Sequence, residues 1–471
     1  MTTSSKIKPD ESLLKDPNEN ESYPTRSRVV SKSTDVSYNS DFLLDMSKRQ
    51  YGQQFANLYY MRLEVLKPRV MENAKQSWEG MKFGGLTVQH ASRILDIRQG
   101  NLVWIVGTIY KDMKYKPNVL EDVSANNYGA PPIRYERYFD KESDKIMVED
   151  ESGRIEVYGD KVTDAKLVTG VVVALLGTED SSGGFDVLDL IVAGFCPQVP
   201  RPIAMRDEKN GGKYLAIVSG LMIGSAEENQ ISLELLQEYL SGELGASVDQ
   251  ERASEIARVI IAGNSMAEEQ ADINPDRKKY GHGSVKFNAA PLKRFDALVS
   301  SLAMSMPVSI MPGDKDPSNA SMPQQPLHKS LLHNSRRFMS SDLVTSVTNP
   351  YWWDIDGVKI LGTSGNTIED IYKYDDFDDR LAMMESTLRW QHAAPTAPDT
   401  LWSYPFSDKD PFIVSETPHI YFAGNQKEYS TRIIEEQGVE VRLVTVPEFY
   451  KSGQFVLVDL ETLDTQLVQL A

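Results

Sequence analysis

The sequence predicts a multidomain α+β protein. A β-rich unit spans about residues 86–200, and a larger unit of alternating strands and helices spans about 201–471. Two observations carry that expectation. Between 101 and 195 the apolar residues fall in short β-branched runs broken by Gly, Ser and Asp, with no helical period. Beyond 201, four apolar runs each end at or just before a glycine, with helix-spaced segments between them. At 471 residues the chain has room for two or three separate cores.

The elements follow in chain order. Residues 1–40 are rich in Ser, Asn, Lys, Glu and Pro and have no apolar period. Such a segment cannot bury enough surface to offset its ordering entropy, so it reads as a disordered arm. Ser40 or Asp41 then caps a helical lead-in over 41–85, where Phe42, Met46, Tyr51, Phe55, Leu58, Tyr59 and Leu63 recur at spacings of three to five. The helix is expected to end or restart at Pro68, and a second piece runs through Val70, Ala74 and Trp78. Strands are expected at 101–111, where Gly107 marks a sharp coil, in a hairpin over 145–159, and at 166–177 and 185–195. Antiparallel strands with a long excursion at 112–144 suit a five-stranded barrel of the oligonucleotide-binding (OB) type over 86–200. The excursion carries Tyr115, Tyr128, Tyr135, Tyr138 and Phe139 with Arg134 and Arg137. Aromatics beside cations can stack the bases of a single strand. The plainer reading is that they cover apolar surface or a protein partner.

In the larger unit, helical segments at 231–244 and 291–306 separate the apolar runs, and a polar stretch at 266–288 reads as a mobile loop. The carboxyl-terminal strands are expected to close a second sheet, giving an α/β sandwich with helices outside. The four glycine-ended runs are YLAIVSGLM (214–222), RVIIAGNSM (258–266), PVSIMPGDKD (307–316) and PHIYFAGNQK (418–427). Buried strands present a site at their carboxyl ends in this way. A two-metal phosphoesterase would place Asp-x-His, Gly-Asp, Gly-Asn-His and Gly-His-x-His in such turns. Here they hold Gly220 and Met222, then Asn264, then Asp314 and Lys315, then Asn425 and Lys427. Two divalent ions need several converging carboxylates and imidazoles. Gly and Met offer a hard cation nothing, and the two lysines repel it. Asp314, Asp316 and His392 are residual candidates for one weakly held ion, and three ligands do not define a two-metal site.

Other chemistry has little support. The six histidines lie at 90, 282, 328, 333, 392 and 419, without His-x-His or HExxH spacing. The acidic run at 369–379 lacks Ca-loop spacing and reads as a solvated face. Gly362–Asn366 lacks the lysine and following helix of a phosphate loop and reads as a turn. A single cysteine, Cys196, excludes a disulfide framework and a cysteine-based zinc site. The polar start has no signal-peptide core, no apolar stretch is long enough to span a bilayer, and an intracellular compartment is expected. Net charge is −18, and residues 1–40 hold six basic and six acidic residues, so the excess lies in the folded part. A body this acidic is a poor independent binder of phosphate backbones. The basic runs at 276–283 and 335–337 read as a solvated loop and a helix-surface patch.

Four stretches carry a resemblance: LRWQHAAPTAPDTLWSYPF (388–406), DPFIVSETPHIYFAGNQ (410–426), GTSGN (362–366) and MPGDKDP (311–317). From about residue 41 to its end the chain resembles the B-subunit family of the replicative DNA polymerases alpha, delta and epsilon, those of polymerase delta in particular. The resemblance implies an OB-type barrel joined to an inactivated calcineurin-like phosphoesterase sandwich, acting in the nucleus as a scaffold without catalysis or cofactor. It also implies docking onto the cysteine-rich carboxyl-terminal module of the catalytic subunit. A third, regulatory subunit that contacts the sliding clamp is a further implied partner, and a translesion polymerase catalytic subunit another. Contact with DNA would be weak or indirect, through Arg134, Tyr135, Arg137 and Tyr138. Two alternatives remain: a single-strand-binding OB protein, and a residual metallophosphoesterase.

Overall fold

The computed structural model describes residues 26–117, 135–202, 212–267 and 288–470, apart from 46, 48, 51 and 53. The arm before residue 26, Tyr128, Arg134, the basic run at 276–283 and nearly all of the loop expected at 266–288 lie outside the described residues.

Helix α1 (Ala56–Trp78) is continuous, with Pro68 inside it. The break expected at Pro68 is therefore absent. Pro68 and Glu64, whose carbonyl loses its helical donor, are both exposed, so water can satisfy that carbonyl. The opposite face buries Leu58, Arg62, Leu66, Val70, Ala74 and Trp78 at a spacing of four. Among the described residues of the stretch before it, helix is confined to a short turn at Asn39–Phe42, not the longer lead-in helix that the spacing of its apolar residues suggested.

Five strands follow: β1 (Leu102–Asp112), β2 (Lys145–Glu149), β3 (Arg154–Tyr158), β4 (Val172–Glu179) and β5 (Phe185–Ile191). They pair in the order β1-β2-β3-β5-β4, and β4 pairs with β1 again, so the ladder returns to its first strand. Among these five, the β3–β5 pairing is parallel and the rest antiparallel; the short strand Gln89–His90 also pairs parallel with β1. Alternation along β1 sorts its side chains: Val103, Ile105 and Ile109 join the core inside the ring, while Leu102, Trp104 and Val106 pack on α1. At Gly107 a Cβ would sit 2.7 Å from the Glu149 carbonyl oxygen, so only glycine permits that approach.

The larger unit comprises β6 (Tyr214–Val218), α2 (Gln230–Ser241), β7 (Ile256–Ala262), α3 (Ala290–Leu302), β8 (Val308–Met311), β9 (Val344–Ser346), β10 (Tyr351–Ile355), β11 (Val358–Thr363), α4 (Asn366–Tyr372), α5 (Arg380–Arg389), β12 (Ile420–Gln426), β13 (Ser430–Glu436), β14 (Val439–Pro447), β15 (Gln454–Asp459) and β16 (Thr465–Gln469). One sheet runs β9-β8-β7-β6-β15-β16 and the other β10-β11-β12-β14-β13. Leu215, Ile217, Ile260 and Ala262 of the first sheet share a core with Ile360, Phe422 and Val444 of the second. Their neighbours Ala216, Val218, Val259 and Ile261 pack with Leu236, Leu240, Phe295 and Val299 of α2 and α3. Burial on both faces is why these strands read as unbroken apolar runs. Contrary to expectation, the last two strands return to the first sheet, β15 pairing antiparallel with β6. Gly362–Asn366 does lead into a helix, α4. No helix among the described residues is long and apolar enough to cross a membrane.

Residues 26–40, assigned from composition to a disordered arm, are ordered on the body together with Phe42 after them. Ser33 and Thr34 pair antiparallel with Ile355 and Asp354 at the edge of the second sheet. Asn39 mimics a further strand residue, donating to the Trp352 carbonyl at 2.8 Å and accepting from its N–H at 2.9 Å. Arg28 donates to the carbonyls of Ala253, Leu240 and Ile256, and Phe42 is 2% exposed. Backbone pairing and one buried aromatic hold a segment that composition alone reads as unfolded. A chain beginning at residue 43 is therefore expected to melt several degrees below one beginning at residue 26, since losing a buried Phe alone costs about 3–5 kcal/mol. Equal melting temperatures by calorimetry would show the segment to be merely draped.

Candidate functional site

The carboxyl ends of β6, β7, β8 and β12 do converge. Gly220 N–H donates to the Gly263 carbonyl at 2.9 Å and Met222 N–H to the Asn264 carbonyl at 3.0 Å. Lys315 N–H donates to Asn264 Oδ1 at 3.1 Å. Met222, Asn264 and Asn425 all have φ near +50°. For a residue with a Cβ that conformation costs about 1–2 kcal/mol, so it persists only where surrounding contacts enforce it. The turns thus keep the shape of a strand-end site.

Amides occupy the space between them. Asn425 donates through Nδ2 to the carbonyls of Ala262 (3.1 Å) and Ser364 (2.8 Å), while its own N–H donates to Ser219 Oγ at 2.8 Å. A Cβ on Gly220 would lie 2.8 Å from Asn425 Oδ1, so the missing side chain at 220 is the room that Asn425 uses. Asn349 donates to Gln324 Oε1 (2.8 Å) and Ser364 Oγ (2.7 Å) and accepts from Thr363 Oγ1 at 3.1 Å. Asp314 accepts at one oxygen from Gln324 (3.1 Å) and Asn366 (3.3 Å).

Asp316 faces inward. It accepts N–H bonds from Ser265 (2.8 Å), Met266 (3.1 Å) and Gly313 (2.8 Å), tying the turn after β8 to the turn after β7. Burial pushes its carboxyl up to about 7, with the backbone donors pulling the other way. Among the described residues no three His, Cys, Asp or Glu side chains stand close enough to share an ion.

His392 belongs to a different site. It is 1% exposed and its Nδ1 accepts from Ala394 N–H at 3.2 Å, so Nε2 carries the proton and donates to Asp410 Oδ2 at 2.8 Å. The same Asp410 oxygen accepts from Arg62 Nε at 2.8 Å. Arg62 also donates to the carbonyls of Gly170 (3.1 Å), Pro395 (2.8 Å) and Ala397 (2.7 Å). This buried cluster joins α1, the loop before β4 and the larger unit. Sequence reading missed Arg62 and Asp410 because neither sits in a catalytic or ligand-binding pattern, although Asp410 opens the 410–426 stretch; a charged residue on the buried stripe of α1 was the available signal.

The remaining candidates divide between a seam and open surface. Tyr138 is 9% exposed, donates its N–H to the Lys373 carbonyl at 2.7 Å and packs edge-on against Tyr374. Arg137 bonds the Asp375 carbonyl and lies over the Tyr372 ring at 4.0 Å. Both are taken up where the β-rich unit meets the larger one. Tyr135 stays 44% exposed, its ring tilted against that of Tyr115 with centroids 4.6 Å apart. The acidic run at 369–379 is likewise not a solvated face throughout: Asp370 is buried, accepting from Thr400 at 2.6 Å, and Asp375 pairs with Lys166 at 2.9 Å. Arg336 and Arg337 lie exposed on the short helix Arg336–Met339, as a surface patch would.

Comparison with known proteins follows the same division. Residues 54–190 match the family described as DNA polymerase delta subunit OB-fold domain, and residues 215–432 match the B-subunit family of DNA polymerases alpha and epsilon. The chain is 38% identical over 486 residues to the DNA polymerase delta small subunit of Saccharomyces cerevisiae, covering 96% of each chain. It is 38% identical over 430 residues to the DNA polymerase delta small subunit of Arabidopsis thaliana, covering 91% of this chain and 94% of that one. It is 35% identical over 437 residues to the DNA polymerase delta subunit 2 of Drosophila melanogaster, covering 92% and 97%. A solved archaeal phosphodiesterase aligns at 11% identity with a TM-score of 0.27, covering 54% of this chain and 98% of that one, a likeness too loose to argue from. Near-complete coverage at this identity, across both units, makes this chain a member of the DNA polymerase delta small-subunit family.

Proposed function

We propose that this chain is a non-catalytic accessory subunit of DNA polymerase delta. In this reading it works in the nucleus, joining the carboxyl-terminal cysteine-rich module of the catalytic subunit to a regulatory subunit that reaches the sliding clamp. The ring of five strands serves as an OB-type barrel, and the larger unit as a phosphoesterase-like sandwich put to scaffolding use. A translesion polymerase catalytic subunit is an additional partner in this reading.

One observation carries the non-catalytic part. Asn425, at the end of β12, fills the space above Gly220 and spends its amide protons on the Ala262 and Ser364 carbonyls. Metal-assisted hydrolysis needs charged, converging ligands and an open coordination position. A neutral amide knot supplies neither. Purified chain incubated with Mn²⁺ or Zn²⁺ and then desalted is expected to retain no stoichiometric ion and to leave bis-p-nitrophenyl phosphate intact. Two retained ions per chain with metal-dependent turnover would refute this.

The single-strand-binding reading draws on the exposed Tyr135 beside half-buried Tyr115 and on Arg154 lying 4.2 Å over the Tyr110 ring. It is weakened because Arg154 is already paired with Glu149 at 2.6 Å and because Arg137 and Tyr138 serve the seam.

A further inference from the structure

The inward face of α3 is apolar, with Phe295, Leu298, Val299 and Leu302 buried. Its outward face carries Lys293, Ala297 and Ser301, with Met304 just past the helix, at the spacing of a single stripe. Lys293 and Ala297 are exposed, and Met304 is 69% exposed. A groove runs between this stripe and the segment at 333–337, lined by Ala297, Ser301, Met304, His333, Asn334 and Arg337. Asp296 ties the two walls together from beneath. Its carboxylate, 2% exposed, accepts from Asn334 N–H (2.6 Å), Ser335 N–H (2.9 Å) and Ser335 Oγ (2.7 Å).

The charge at this groove has one sign. Between Asp316 and Asp342 the chain has no acidic residue, although acids outnumber bases 68 to 50 overall. Arg336 and Arg337 are exposed, and Arg337 lies 4.6 Å over the Phe338 ring. Among the described residues neither arginine, nor Lys293, has a carboxylate partner. Glu228 is already taken by Arg294 at 2.9 Å, and Asp342 stands exposed beyond the short helix, bonded to neither arginine. No residue lining the groove is acidic, so a carboxylate entering it meets cations at the surface. The floor then separates protein from nucleic acid. A single strand needs aromatic faces for its bases and a track of cations for successive phosphates. Here the floor is a thioether, a methyl group and a hydroxyl, which suit an aliphatic side chain. Screening acts in the same direction, because charges more than about 10 Å away count for little. A short acidic segment feels the local cations, whereas a polynucleotide runs on across a body of net charge −18.

We propose that this groove docks an acidic segment of a partner protein, with a carboxylate on Arg337 and an aliphatic side chain on Met304 and Ala297. The Arg337 guanidinium can give a carboxylate two N–H bonds in one plane, and Lys293, one turn back along α3, is placed for a second acid. The proposal rests on the scaffold reading for the expectation of a bound protein, and on the groove alone for the chemistry of what docks.

The test titrates the full chain into a fluorescein-labelled peptide, Asp-Glu-Leu-Leu-Asp-Glu, and follows its anisotropy. The parent is expected to bind, and Arg337→Glu to bind about tenfold more weakly, the scale of one charge-assisted contact. Met304→Ser is expected to weaken binding about fivefold, and replacing both leucines of the peptide by serine should cost the parent more than it costs that variant. Both positions are exposed, so unchanged melting temperatures show that the variants fold. No binding by the parent, or equal binding by the parent and both variants, overturns the proposal and leaves the scaffold reading standing. Failure of the chain to assemble with the catalytic subunit counts against the scaffold reading alone, because the peptide is read on the chain by itself. Oligothymidylate that binds through Arg337 more tightly than the peptide would assign the groove to nucleic acid. A chain beginning at residue 26 that binds the peptide about tenfold more tightly than the full chain would assign the groove to the chain's own first residues. Either result overturns the partner-protein source.

Discussion

Arg62→Met is expected to cost about 3–5 kcal/mol of stability, the usual penalty for removing one partner of a fully buried ion pair. Arg62 and Asp410 are both 0% exposed. Methionine fills the space but leaves the Gly170, Pro395 and Ala397 carbonyls without donors and Asp410 with a buried charge. Chemical denaturation reads the loss directly. The double change Arg62→Met with Asp410→Leu is expected to be milder than Arg62→Met alone, because no unpaired charge remains. If the single change proves neutral, the cluster does not hold the units together.

The same cluster gives an acid limb. Burial, reinforced by the Arg62 charge and opposed by Asp410, pushes His392 down to about 4 from its ordinary 6.5. Between those values the unfolded chain takes up a proton that the folded chain refuses, so stability falls as pH drops through about 6.5 to 4. Burial alone would raise Asp410, but His392 and Arg62 more than offset it and hold the carboxyl below 3.8, which extends the loss to lower pH. Asp316 acts oppositely: its raised carboxyl favours the folded state at low pH and withdraws that support as pH rises from 3.8 toward 7. The contributions separate in His392→Gln, whose melting temperature should vary less between pH 7.5 and 5 than that of the parent. An unchanged pH profile would remove His392 from the explanation.

The second large effect concerns the strand ends. Gly220→Asp places a carboxylate at the end of β6, where the sequence reading looked for a metal ligand, yet it is expected to destabilise the chain by about 2–5 kcal/mol. Backbone strain contributes about 1–2 kcal/mol, because Gly220 has φ +63°, and overpacking against Asn425 Oδ1 and Glu448 adds about 1–3 kcal/mol. Titration with Mn²⁺ is expected to recover none of it. A variant as stable as the parent that gains stability with metal would show that the amide knot is dispensable.

Much of this was legible in the sequence, and for identifiable reasons. The four glycine-ended runs announced converging strand ends because burial on both faces leaves unbroken apolar strings and the turns need special backbone. The strands of the β-rich unit were legible from the 145–159 hairpin and from the β-branched run around Gly107. What the sequence concealed depends on partners far along the chain. Gly220 was read as a missing ligand, while its structural meaning is the Asn425 side chain 205 positions later. Arg62 gave no signal of its own, because the carboxylate it pairs with, Asp410, lies 348 positions later. Residues 26–40 look unfolded by composition because their stability comes from the edge of β10, not from their own apolar content. Pro68 predicted a break because sequence does not say which face of α1 meets water.

On the scaffold reading, this chain acts as a rigid subunit rather than as an enzyme or a free single-strand binder. The native mass of the chain co-expressed with the catalytic subunit of DNA polymerase delta tests that most directly. A one-to-one complex that persists through gel filtration at physiological salt is the expected result. Two separately migrating proteins, with this chain a well-behaved monomer, would contradict it.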